Sequence, residues 1–76
     1  MTKHDQIKEY IIQDIIEYIV ADFQVDYDEA MSLFYNSDVF AKLLDTETGL
    51  YLESSAYIYD LFCDERTFGR IVQHEL

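Results

Sequence analysis

The stretch Asp5-Gln-Ile-Lys-Glu-Tyr-Ile-Ile-Gln-Asp-Ile-Ile-Glu-Tyr-Ile-Val-Ala-Asp-Phe23 decides the fold class. Its apolar residues are Ile7, Tyr10, Ile11, Ile12, Ile15, Ile16, Tyr18, Ile19, Val20 and Phe23. Positions 8-12-15-19-23, with neighbours 7, 11, 16 and 20, fall on one broad helical face, and Glu9, Asp14, Glu17 and Asp22 cover the remainder. Isoleucine favours strands, but so long a run without a turn signal exceeds an ordinary strand. The spacing therefore predicts a helix whose apolar stripe is wide enough to touch two neighbouring elements.

Working downstream, Asp26-Tyr27-Asp28-Glu29 reads as a capping box, with Val25 and Ala30 placed as a weak hydrophobic staple. Ala30, Met31, Leu33, Phe34 and Tyr35 continue a second helix. Ser37 is a suitable N-cap for a short third helix carrying Val39, Phe40, Leu43 and Leu44. Asp45-Thr46-Glu47-Thr48-Gly49 ends it, with Gly49 free to take positive φ. Leu50-Tyr51-Leu52 reads either as a short extended segment or as a packed loop. Ser54 and Ser55 offer a further N-cap, followed at helical spacing by Ala56, Tyr57, Ile58, Leu61 and Phe62. Beyond Cys63, the run through Phe68, Ile71, Val72 and Leu76 makes residues 53–76 one long helix, or two joined near Asp64 to Thr67.

The expectation is a single all-α domain over residues 1–76, a small bundle of four helices, or five if the last segment breaks. Composition agrees. The chain has no proline, only Gly49 and Gly69 as glycines, and half its residues are apolar, including seven Tyr and five Phe. So few breakers favour helices with short connections. So much apolar content keeps the chain out of the disordered class despite a net charge of −11.

That charge narrows function. Between Glu9 and Asp64 stand thirteen carboxylates and one cation, Lys42. Such a surface repels nucleic-acid phosphates and anionic head groups and attracts basic partners. The helices around Asp26 to Phe40 could pass for a helix-turn-helix, but Asp26, Asp28, Glu29 and Asp38 leave no cationic recognition surface. Direct nucleic-acid binding is not expected. Acids within the first apolar stretch argue against a membrane span and against a signal peptide, so a cytoplasmic location is expected. Crowded like charge also predicts a melting temperature that rises with salt or mild acid; equal values at low and high ionic strength would exclude it.

No motif for catalysis or cofactor binding accompanies the charge. Asp45 to Glu53 resembles a calcium loop only superficially, because glycine falls fifth and the twelfth position is Ala56. His4 and His74 lie at opposite ends, and Cys63, read as a small buried hydrophobe, joins neither, so no zinc set forms. Ser32, Ser37, Ser54 and Ser55 have no base placed by spacing, and there is no glycine-rich phosphate loop. No cofactor and no enzymatic activity are expected.

At Glu29-Ala-Met-Ser-Leu-Phe-Tyr-Asn-Ser37, with Phe40, Leu43-Leu44, the run Glu47 to Ser54, Tyr57 and Tyr59-Asp-Leu61, the chain resembles a family of small acidic bacterial proteins of unknown function. Members often stand beside toxin-like or regulatory genes. The resemblance covers residues 10–62 and implies a compact helical domain with an antitoxin-like or accessory role. No catalytic residues come with it.

These readings converge on a non-enzymatic acidic interaction module, antitoxin- or inhibitor-like, that binds a basic partner protein. Tyrosine supplies apolar area with a polar tip and suits interface anchors. The expected partner-facing residues are Asp26, Tyr27, Asp28, Tyr35, Asp38, Tyr51, Glu53, Tyr59 and Asp60. Two rivals remain at this point: a homodimer or other self-assembling structural protein, joined through the isoleucine-rich face, and a DNA mimic whose carboxylates imitate phosphates.

Overall fold

A computed structural model describes residues 3–68, which form four α-helices and no strand: α1 (Lys3–Phe23), α2 (Tyr27–Tyr35), α3 (Asp38–Leu44) and α4 (Ser55–Phe68). The all-α bundle expected from the spacing is what the chain adopts. Leu50–Leu52 is neither extended nor an open loop. It forms a single 3₁₀ turn behind another at Thr46–Thr48, and Gly49 joins them at φ 70°. The last helix runs unbroken through Asp64 to Thr67, so the described residues hold four α-helices rather than five. Ile71, Val72, His74 and Leu76 lie outside the described residues, as do the side chains of His4 and Phe68.

The core is built on α1. Ile11, Ile15, Ile16 and Ile19 are buried and meet Ala30 and Phe34 of α2, Val39 and Leu43 of α3, and Ile58, Leu61 and Phe62 of α4. The stripe is wider than two neighbours require. α1 packs against α2, α4 and the Leu50–Leu52 turn. Ile7 and Leu44, both apolar in the pattern, stay exposed instead. Phe34 is central: its ring meets Phe40 and Phe62 edge-on, with centroids 5.4 and 5.7 Å away. Edge-to-face pairs of this kind add about 0.5–1.5 kcal/mol each beyond area burial.

Helix ends follow the caps read from sequence. The Glu29 amide donates to Asp26 Oδ1 at 2.8 Å, and the Phe40 amide donates to Ser37 Oγ at 3.1 Å. Ser37 in turn donates to the Phe34 carbonyl at 2.6 Å, which fixes the tight α2–α3 corner. The Tyr57 amide donates to Ser54 Oγ, opening α4.

The end of α1 carries no such signal. Gln24 closes it at φ 55°, with its amide donating to the Val20 carbonyl. A left-handed conformation costs a residue bearing Cβ about 1–2 kcal/mol, and glycine escapes most of that. We expect Gln24→Gly to raise stability by about 0.5–1 kcal/mol after its larger unfolded-state entropy is subtracted. A lowered urea midpoint in the variant would show that the Gln24 side chain matters more than its backbone strain.

α4 lies beside α1 with pairings that climb together along both helices. Ser55 donates to Asp14 Oδ2 at 2.7 Å, Tyr59 packs on Tyr18 at 5.2 Å, and the Tyr59 hydroxyl donates to Asp22 Oδ2 at 2.7 Å. About two turns further along α4, Arg66 lies over Phe23 at 5.3 Å. A cation here complements the carbonyl end of α1, whose own last turn has no base.

Candidate functional site

The nine expected partner-facing residues do not share one face. Asp26, Asp28, Asp38, Glu53 and Asp60 are exposed, as expected of carboxylates on a solvated surface. Tyr51 is half-buried, with Lys8 Nζ over its ring at 5.6 Å, and so belongs to the packing of α1 on the 3₁₀ turns. Tyr59 is also half-buried. It is held by Asp22, stacked on Phe62 at 6.2 Å and tilted against Tyr18. Both act within the fold.

Burial first, and then the bond to Asp22, push the Tyr59 phenol well above its ordinary value of 10.0. Burial also raises the neighbouring Cys63 thiol, which makes it a poor nucleophile. The sign of the linkage is fixed by that direction. Below pH about 10 the phenol is protonated folded or unfolded; above it the unfolded chain ionises first, so stability falls as pH rises. We expect the urea midpoint to drop between pH 9 and 11 (approximate limits set by the ordinary phenol value), and Tyr59→Phe to flatten that drop. An identical drop in the variant would assign the alkaline loss to other groups.

Tyr27 and Tyr35 are different. Both are exposed, at 47 % and 45 %, and both line one recess between α1 and α2. The recess has a volume of about 360 Å³, opens to solvent, and is completed by Glu9, Ile12, Gln13 and Ile16 of α1. Tyr35 is braced from behind by Phe40, with centroids 4.8 Å apart, so its ring is held in place. Glu9 is exposed and makes no hydrogen bond or ion pair with another described residue.

The α1 wall was legible in principle. Residues 9, 12, 13 and 16 follow i, i+3, i+4, i+7 spacing, which marks the edge of the apolar face, running from exposed Glu9 and Gln13 to buried Ile16.

Two charged residues belong to the scaffold instead. Lys8 is buried to 7 % exposure and donates to the Leu44 carbonyl at 2.8 Å and to Thr46 Oγ1 at 2.9 Å. Glu65 accepts from the Asp38 and Val39 amides at 2.8 and 3.0 Å. Each holds one end of α3.

Among the described residues no group of three or more His, Cys, Asp or Glu is placed to hold a metal ion. No described helix is long and apolar enough to cross a membrane. Comparison with protein-family models, with curated proteins and with solved structures finds no match for this chain.

Proposed function

We propose that this chain is a non-enzymatic acidic interaction module that binds a basic partner protein in the cytoplasm, in the manner of a small bacterial antitoxin or inhibitor. The observation that carries the reading is the exposed pair Tyr27 and Tyr35 on a surface of net charge −11. Long-range attraction brings a cationic partner in, and the rings give it desolvated area to hold. Carboxylates alone would give attraction without a footprint. The same charge opposes pairing with a second copy, because both faces would be negative.

Immobilised protein challenged with lysate of its source cell at low salt, then eluted along a salt gradient, tests this directly. A basic protein should elute at moderate salt, and its association rate should fall steeply with ionic strength. A partner whose binding ignores salt, or a bait that elutes alone, would overturn the proposal.

A further inference from the structure

The groove between α1 and α2 says more about its occupant than the charge does. Its α1 wall, Glu9 to Ile16, rises about 10 Å, and Tyr27 and Tyr35 on α2 are about 12 Å apart along the axis. Both walls are therefore about two helical turns long. At about 360 Å³ the recess is at the low end for an enclosed small ligand, and it opens along one side. A space of this form takes side chains projecting from a docked segment. Ile12, half-buried over the core residue Ile16, offers a small apolar floor, while Glu9 leaves a carboxylate without a partner among the described residues.

Resting on the acidic-module reading above, we infer that this groove docks a basic amphipathic helix of the partner, laid along α1 and α2. The partner's apolar side chains meet Ile12 and the ring edges of Tyr27 and Tyr35, and its arginines lie against the two ring faces and reach Glu9. Arginine suits this position better than lysine, because its planar guanidinium stacks on an aromatic face while it bonds a carboxylate. A docked helix satisfies its own backbone. An added strand would need a sheet edge, which the described residues lack. A second copy would bring Glu9, and the exposed Asp26 and Asp28 that flank Tyr27 in the chain, against like charge.

The probe is a labelled peptide of about five turns built from leucine and arginine, with leucines at i, i+3, i+4 and i+7. It is titrated against the full chain beside a scrambled peptide of the same composition. The patterned peptide should bind about tenfold more tightly than the scrambled one and shift the amide resonances of Gln13, Ile16, Tyr27 and Tyr35. Tyr27→Ala should weaken binding about 3–10-fold and Glu9→Gln about 3-fold, while Glu53→Gln, an exposed carboxylate outside the groove, leaves it unchanged. Glu9→Gln keeps the test valid should Tyr27→Ala disturb the start of α2.

Equal affinity for both peptides, or equal loss from Glu9→Gln and Glu53→Gln, would overturn the groove while leaving the acidic-module reading standing. Absence of binding by either peptide at low salt would overturn both. Sedimentation of the free chain as a dimer that buries Tyr27 and Tyr35 would assign the groove to a second copy and overturn the inference.

Discussion

Phe34→Ala is expected to cost about 3–5 kcal/mol, enough to leave much of the chain unfolded at room temperature. Phe34 is fully buried and is the ring on which α2, α3 and α4 converge, through Phe40 and Phe62. Truncation removes two edge-to-face contacts and leaves a void bounded by three helices. No single helix can shift to fill it. A domain of this size has about 4–11 kcal/mol of total stability, so the loss is a large share of the whole. Phe40→Ala should cost clearly less, because Phe40 is only half-buried and water can enter where the ring stood. Urea midpoints compare the two variants, and collapse of amide dispersion in Phe34→Ala would accompany the loss. A Phe34 variant that loses under about 1 kcal/mol would mean the core repacks, and Phe62 would then be the true centre.

What could be read in advance divides along a physical line. Local signals were legible: the periodicity of Asp5 to Phe23, and the caps at Asp26, Ser37 and Ser54, depend on neighbours within four residues. Gln24 was not, because no residue type advertises a left-handed close when glycine is absent. Leu50–Leu52 failed for a related reason. Three apolar residues carry no period, and what folds them is contact with α1 and α3. Tyr51 and Tyr59 entered the partner-facing set on residue type alone, whereas Lys8 and Asp22 engage them through contacts 43 and 37 positions away in the sequence. Tyr27 and Tyr35 could be picked by type, yet the groove they flank needed α1 in place. Long-range pairing decides the surface, and a single sequence does not display it.

Lys8→Ala and Glu65→Ala together are expected to cost nearly as much as losing the core ring, though neither residue is apolar. α3 has seven residues, too few to hold itself as a helix, and its ends are secured from opposite sides. Lys8 of α1 puts a cation on the Leu44 carbonyl, where the helix dipole favours positive charge; Glu65 of α4 takes two amides at the other end, where it favours negative charge. Charged hydrogen bonds contribute about 1.5–3 kcal/mol each, so each single variant should lose about 2 kcal/mol. Lys8→Met should lose less than Lys8→Ala, because it keeps the buried stem and removes only the ammonium. The two clamps stand about 10 Å apart with no shared partner, which predicts additive losses totalling about 4 kcal/mol. Additivity holds only while Val39 and Leu43 keep α3 docked. Hydrogen exchange settles that condition: in each single variant the α3 amides should stay protected to the level of global unfolding. If they exchange early, and the double variant falls short of the sum by more than about 1 kcal/mol, α3 has already come away with the first clamp. The helix would then be held by its ends rather than by its buried face.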